Sequence, residues 1–445
     1  VGLDVHLDAE RKAASAMPYW AKSTGNCMQP TLAIGEGFPR HFCFFVFQVM
    51  SFPALRPAVR ALQPELVTWR RHIHKYPELG FQEKQTAAYI SQRLKSWGIP
   101  HQTGIAHTGI VATIEGEQLG PVLALRADMD ALPIHEANEV EYRSAIPNVM
   151  HACGHDGHTA IAMGTAKLLQ QHRQHLKGTV KVIFQPAEEG PGGAKPMLEA
   201  GVLKNPDVEA ILGLHLWNNR PLGTIGVKSG PSMAFADRFQ IQVIGRGGHA
   251  ALPQQTVDAI VVGSHIVNAL QTIVSRSVDP LQPAVVTVGR FRAGDAFNVI
   301  APSAEIWGTV RSFHPEVADL IPKRMEEIVA GICQAYGATY EFRFERGYPV
   351  VQNDPAMAAL VEQSAREVFG PEARIIPEMT MGGEDVSFFL NEVPGCYFFL
   401  GSANPERGLN YPHHHPRFDF DEAALGIGVE LFLRCIENYT GQALS

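Results

Sequence analysis

The sequence predicts an α/β protein: a helix-sandwiched, mostly parallel sheet as the main domain, with a smaller α+β domain inserted into it. Three observations predict this. Apolar strands alternate with amphipathic helices between about residues 109 and 215. The polar clusters in that stretch each lie just past an apolar run, where open α/β sheets hold ligands. From about residue 236 the texture changes to strictly alternating strands such as Arg238-Phe-Gln-Ile-Gln-Val-Ile244, and the first texture returns after about 349.

A chain of 445 residues is too long for one ordinary core, so two domains are the starting expectation. Residues 1–55 lack the patterning. Pro30, Gly35, Gly37 and Pro39 precede a short apolar run, His41 to Val49, and the stretch reads as an N-terminal extension outside the fold. The main domain then takes residues 56–235 and 349–441, and the insert takes 236–348.

Regular structure is expected from Pro64, which suits the first turn of a helix carrying Leu66, Val67, Trp69 and Ile73 at helical spacing. Pro77-Glu-Leu-Gly80 breaks it. A second helix lines up Thr86, Ala87, Ile90 and Leu94 and stops at Gly98. Strands follow at 109–114 and 121–125; the second is apolar on both faces, as a central strand between helices is. A helix at about 157–174 comes next, then strands at 179–184 and 210–214. The insert reads as strand 238–244, a helix near 256–275, strands 284–288 and 304–310, a helix near 315–336 and strand 339–344. That order fits an antiparallel sheet with two helices on one face. A helix near 355–369, a strand at 395–400 and a helix at about 421–438 complete the main domain.

The bulk properties exclude several functions. Hydrophobic residues make up 45% and charged residues 18%, as in a soluble globular protein. The net charge of −8, without a basic tract, argues against nucleic acid and anionic membranes as partners. No run of eighteen apolar residues marks a transmembrane helix. Six scattered cysteines without a framework spacing point to a reducing, cytoplasmic setting.

One stretch dominates the chemistry: His151-Ala-Cys-Gly-His-Asp-Gly-His158. Three histidines, a cysteine and an aspartate within eight residues serve no packing need. Cys153 and His155, one residue apart across a glycine, can both turn inward, and that pair suits a borderline-soft divalent ion. Glu188-Glu189 follows an apolar strand and precedes Gly190, Gly192 and Gly193. Two adjacent carboxylates allow one to bind metal while the other moves a proton, the division that metal-assisted hydrolysis needs. His215 ends an apolar strand, and one of His413, His414 and His415 is a further ligand candidate. Asp128 and Asp130 either ligate or orient ligand imidazoles; spacing leaves both open.

These stretches, in this order, resemble the M20 metallopeptidase family, in its amidohydrolase branch of hippurate, N-acyl-amino-acid and auxin-conjugate hydrolases. The resemblance runs from about residue 64 to 440 and also rests on His74-Lys-Tyr-Pro-Glu-Leu-Gly-Phe81, Gly245-Arg-Gly-Gly-His-Ala250, Phe297-Asn-Val-Ile300, Gly308-Thr-Val-Arg-Ser312 and Gly382-Gly-Glu-Asp385. It implies two divalent ions, zinc or manganese, held by Cys153, His155, Glu189, His215 and His414. His414 is chosen because the family pattern is His, any residue, Pro. Beside the ligands this resemblance implies, Asp128 and Asp130 are expected in the orienting role. Glu188 is the implied general base and acid. The insert resembles the family's lid and dimerisation domain, which implies a homodimer. There His249 is expected to polarise the scissile carbonyl, and Asn298 and Arg311 to hold the substrate, Arg311 through its planar fork. The expected activity is hydrolysis of N-acetyl- or N-benzoyl-amino acids by metal-activated water. A peptidase acting on small unblocked peptides and a metal-dependent binding protein without turnover are the alternatives.

Overall fold

The structure is a computed structural model, and it describes residues 55–444; residues 1–54 of the expected N-terminal extension lie outside the described residues. Helices α1 (Pro57–Lys75) and α2 (Lys84–Ser96) come first, then strands β1 (His101–Ile105), β2 (Gly109–Glu115) and β3 (Gln118–Asp128). Next are α3 (His155–Gln171), β4 (Lys177–Gln185), α4 (Ala194–Glu199), β5 (Ala210–Pro221), β6 (Ile225–Gly226) and β7 (Gly230–Met233). β8 (Phe235–Ile244), β9 (Gly248–His249), α5 (Ala259–Thr272), β10 (Ala284–Ala293), β11 (Val299–Ile300), β12 (Ser303–Ser312), α6 (Pro315–Tyr336) and β13 (Thr339–Tyr348) follow. The chain closes with β14 (Val351–Asn353), α7 (Pro355–Phe369), β15 (Ile375–Ile376), α8 (Ser387–Leu390), β16 (Gly395–Ala403) and α9 (Ala423–Thr440).

The main sheet has eight strands in the order β1-β2-β4-β3-β5-β16-β6-β15. Its middle four, β4, β3, β5 and β16, are parallel. The central strands bury both faces. On one side Leu123, Leu125, Leu212 and Phe398 pack beneath α1, α3, α7 and α9. On the other, Ala124, Ile183, Ile211 and Phe399 pack with residues from α4 and α8. Parallel strands point their C-terminal ends to one edge, so everything that follows β3, β4 and β16 gathers there.

A second, four-stranded antiparallel sheet, β10-β12-β8-β13, has its own core. Phe239, Ile241, Val243 and Ile306 pack against Val262 and Ile266 of α5 and Ile321 and Met325 of α6, on one face. Within the parallel sheet and this one, strand types and order match the expectation from periodicity.

Three local expectations need correction. The first helix starts at Pro57, not Pro64, because Val59 and Leu62 extend its buried face by two turns; Pro64 sits inside it. His215 does not end its strand. The register that pairs Arg126 with Gly213 sets His215 level with Asp128, but β5 runs on to Pro221 because β16 keeps pairing with it through Ala403. Strand β1 and the short β6 and β15 are too brief and too polar at their ends to leave a periodic signal.

Candidate metal centre

The loops at the shared strand ends converge. Asp128 closes β3 and Asp130 lies just beyond. Gly154, at φ +96°, precedes the first residue of α3, His155. A side chain is disfavoured at that φ, so glycine supplies the turn between Cys153 and His155. Glu188 and Glu189 follow β4, and His414 stands in the loop after β16, its own φ of +64° held by a hydrogen bond from its N–H to the Ala152 carbonyl at 2.8 Å.

Donor atoms of Cys153, His155 and His215 lie within 4.8 Å of one another, as do those of Cys153, Glu189 and His414. The two sets share Cys153. A third set at the same spacing joins His155 to Glu188 and Glu189. Cys153 Sγ is 3.6 Å from His215 Nε2, and His414 Nε2 is 3.1 Å from Glu189 Oε1.

The hydrogen bonds leave specific lone pairs bare. His155 turns Nδ1 to Asp130, 3.0 Å from its carbonyl and 3.2 Å from Oδ1, which leaves Nε2 buried without a partner. His215 turns Nδ1 to the Leu216 carbonyl at 2.6 Å and points Nε2 at the thiol. An imidazole that ligates through one nitrogen generally donates from the other in this way. Glu189 receives support through its own N–H, which donates to Asp130 Oδ2 at 3.0 Å, and its Oε1 is buried outside hydrogen-bond geometry. Bare acceptors in a protein interior cost about 1–3 kcal/mol each unless a cation takes them. A thiol, three imidazoles and a carboxylate, with His155 Nε2 and Glu189 Oε1 bare, fit the two divalent ions the sequence implies, and the sulfur favours a borderline-soft one.

The remaining histidines of the motifs behave differently. His158 receives the Leu216 N–H on Nε2 at 2.8 Å and donates from Nδ1 to Asp128 at 2.6 Å, so no lone pair is free. Asp128 also accepts from Arg126 Nη1 at 2.6 Å. His413 is half-buried, stacked on Trp217, with Nε2 taken by the Asn218 N–H at 3.1 Å. His415 is half-buried and stacks on Tyr411. His151 is buried with both ring nitrogens unpaired.

Electrostatics at the centre follow from burial and crowded acids. Burial, followed by Glu189, Glu188 and Asp128, pushes the Cys153 thiol well up. Burial opposes a charge on His155, but Asp128 and Asp130 outweigh it and raise the ring to about 10. Burial and the neighbouring Glu384, Glu189 and Asp385 push Glu188 well above the usual carboxylate range. His215 is pressed down by burial and by His158 and His413. Cation binding here therefore displaces protons.

The other expected site residues stand elsewhere. His249 lies in the β9–β11 ladder, opposite Val299, exposed, with its Nδ1 accepting from the Ala251 N–H at 3.1 Å. Asn298 is exposed, and its carbonyl accepts from Ala250 N–H at 3.1 Å. Arg311, half-buried on β12, donates to Thr309 Oγ1 and to the Val310 carbonyl. Among the described residues no hydrogen bond or ion pair links these three to the donor cluster.

Several residues round the cluster had no role assigned from sequence. Arg126, buried in β3, donates to Asp128, to Gln185 at 2.8 Å, to Glu384 at 2.8 Å and to Asp385 at 3.0 Å. Tyr397 OH donates to Glu384 at 2.7 Å. Carboxylate atoms of Glu188, Glu384 and Asp385 lie within 4.8 Å of one another. A lone arginine inside an apolar strand, and an acidic pair after Gly382-Gly383, are the signals that point to them. The Tyr348 contact with Glu188, whose carbonyl accepts from its hydroxyl at 2.8 Å, leaves no such signal.

A family model described as Peptidase family M20/M25/M40 matches residues 124–438. The chain belongs to this family. An N-acyl-L-amino acid amidohydrolase of Geobacillus stearothermophilus is 48% identical over 307 residues, 68% of this chain and 82% of the relative. An N-acetylcysteine deacetylase of Bacillus subtilis is 42% identical over 380 residues, 84% of this chain and 97% of the relative. The crystal structure of the Bacillus subtilis YXEP protein, described as a dinuclear metal binding peptidase of the M20 family, superposes with a TM-score of 0.75 at 38% identity, covering 86% of this chain and 99% of that one. The family match thus spans every residue of the donor cluster.

Proposed function

We propose that this member of the M20 family is a metal-dependent amidohydrolase that cleaves the amide bond of N-acyl-L-amino acids. One observation carries the reading: a buried donor cluster with bare lone pairs stands beside a further carboxylate, Glu188, that the cluster does not need. Names of relatives at 42–48% identity point to the same substrate class.

Cys153, His155, Glu189, His215 and His414 are the residues we assign to two divalent ions, zinc by ligand softness or manganese by supply. Bound there, the ions supply Lewis-acid polarisation and a more acidic water. Asp130 holds the His155 ring and the Glu189 main chain; Asp128 holds His158 and, through it, the Leu216 N–H of β5, next to His215. Glu188 removes the proton from the attacking water and returns it to the leaving amine nitrogen. His249 stabilises the oxyanion, Asn298 assists, and Arg311 clamps the substrate carboxylate.

The same proposal divides the chain into catalytic segments 56–235 and 349–441 and a lid and dimerisation unit, 236–348. Exposed Leu252, Phe291, Val299 and Trp307 on that unit suit a homodimer contact. No described helix is long and apolar enough to cross a membrane. Four described cysteines, all buried, are unpaired, in keeping with a cytoplasmic setting.

The test is a panel of N-acetyl- and N-benzoyl-amino acids beside unblocked dipeptides, with elemental analysis of the same preparation. The reading expects turnover of the blocked substrates and about two ions per chain. Faster hydrolysis of the free dipeptides, or a protein that takes up no divalent ion, refutes it.

A further inference from the structure

The chain enters the four-stranded sheet from the two-stranded β7–β14 sheet at Ala234–Phe235 and returns to it at Tyr348–Val351. The two passages lie side by side: Ala236 pairs with Tyr348 in the β8–β13 ladder. Asp237, buried next to the first passage, ties down the second. It accepts from the Gly347 N–H at 3.1 Å and from Arg346 Nη1 at 2.8 Å. The first passage is pinned in turn to the Gly382-Gly383 turn. The Ala234 N–H donates to the Gly382 carbonyl at 2.9 Å, and a Cβ at Gly383 would come within 2.5 Å of the Ala236 Cβ.

Tyr348 stands at the end of this clamp and reaches into the catalytic loop. Its hydroxyl donates to the main-chain carbonyl of Glu188 at 2.8 Å. Its ring lies over Gly192, at φ +104°, where a Cβ would sit 3.1 Å from the ring. The ring also meets Phe388 edge-on, with centroids 6.3 Å apart; Phe388 belongs to the short α8 that follows Glu384 and Asp385. One side chain therefore joins the passage out of the four-stranded sheet to the loop that carries Glu188 and to α8.

We propose that Tyr348 is a positioning residue for Glu188, fixing the loop of the base to the point where the chain crosses between the two sheets. The proposal rests on the reading of Glu188 as general base. Glu188 follows a flexible-backbone sequence, with Gly190, Gly192 and Gly193 next to it, and nothing in that sequence alone sets the direction of its side chain. A hydrogen bond to its own carbonyl from a residue anchored in another unit does. A carboxylate that must reach both a water and an amine nitrogen loses rate steeply with misplacement, even of about 1 Å.

The substitution Tyr348→Phe deletes the hydroxyl and keeps the ring that packs on Gly192 and Phe388. Full-length, metal-loaded wild type, Y348F, E188Q and the double variant are assayed on an N-acetyl-amino acid, with metal content and melting temperature measured on each. The expected result for Y348F is about a ten-fold fall in kcat, the scale of one hydrogen bond, with KM within about two-fold and metal content unchanged. In the E188Q background the same change moves the residual rate by less than about two-fold, because a residue acting only through Glu188 then has nothing to position. Wild-type kcat in Y348F beside an inactive E188Q overturns the proposal. So does a full ten-fold loss in both backgrounds, the pattern of a general structural role. Near-normal turnover by E188Q overturns the assignment of the base itself and is read separately.

Discussion

The donor edge of the main sheet and the separate two-stranded β9–β11 sheet hold two sets of expected site residues in opposite conditions. At the first, every donor is fixed by a neighbour: Asp130 and its carbonyl hold His155, the Leu216 carbonyl holds His215, and the Ala152 carbonyl holds the His414 main chain. Most of these groups are buried. At the second, His249 and Asn298 face water; His249 bonds within its own turn and the Asn298 carbonyl bonds only across the β9–β11 pair. The contrast follows from what each set must do. Ligands to a cation have to be assembled before the cation arrives, since bare charges in a low-dielectric interior are costly one by one. Groups that grip a substrate can stay solvated until it binds.

This contrast is open to direct tests, the largest effect first. Glu188→Gln removes the proton carrier from the buried edge; turnover should fall by about 10³-fold with metal content intact. A variant that keeps turnover, or loses its metal, breaks the separation between cage and base. His249→Ala acts on the exposed side. It should lower kcat by about 10²-fold and leave both metal content and melting temperature unchanged, since the residue supports no core. If melting temperature falls instead, His249 is structural and the contrast fails. Asp130→Ala should weaken metal affinity by about ten-fold, read by competition with a chelator, because the Glu189 main chain loses its anchor and His155 keeps only the main-chain carbonyl of residue 130. Unchanged affinity would show that the cage is rigid without it.

The smallest effect concerns stability. Deep behind the cage, burial opposes a charge on His74 and Arg70 repels it, but Asp156 and Glu136 prevail and raise the ring to about 9 from 6.5. A raised value stabilises the folded state fully below pH 6.5, and the contribution is lost as pH climbs to about 9. Melting temperature should therefore decline across that window, and His74→Gln should flatten the decline. An equal slope in both proteins would assign the effect to another group.

How much of this was legible beforehand depends on how local the signal is. The two long helices of the second unit and α7 are written in periodicity over ten or more residues, and the parallel strands in short runs apolar on both faces. The donor cluster was legible because Cys153, His155 and the Glu188-Glu189 pair are chemically improbable as packing. His414 against His413 was not decided by spacing; it needed a family pattern, and the coordinates put His413 under Trp217 with one nitrogen occupied. Residues that act across the fold leave no local trace. Tyr348 looks like the last aromatic of an exposed strand, and only the meeting of β13 with the loop after β4 gives it a partner. Pro64 misled because a proline that suits a first turn is also tolerated within a longer helix when its neighbours bury enough apolar surface.

The adjacency of Ala236 and Tyr348 has a consequence for how such a chain is built and rebuilt. More than a hundred residues leave the host sheet and return within one strand spacing. A self-folding insert whose ends meet adds little closure entropy to its host, since that cost grows only with the logarithm of loop length. On the proposed division, with 236–348 as the insert, a β-turn joining residues near 234 and 350 should close the gap its removal leaves. Recombination between relatives at those two points can exchange substrate-handling surfaces while the cation cage stays whole.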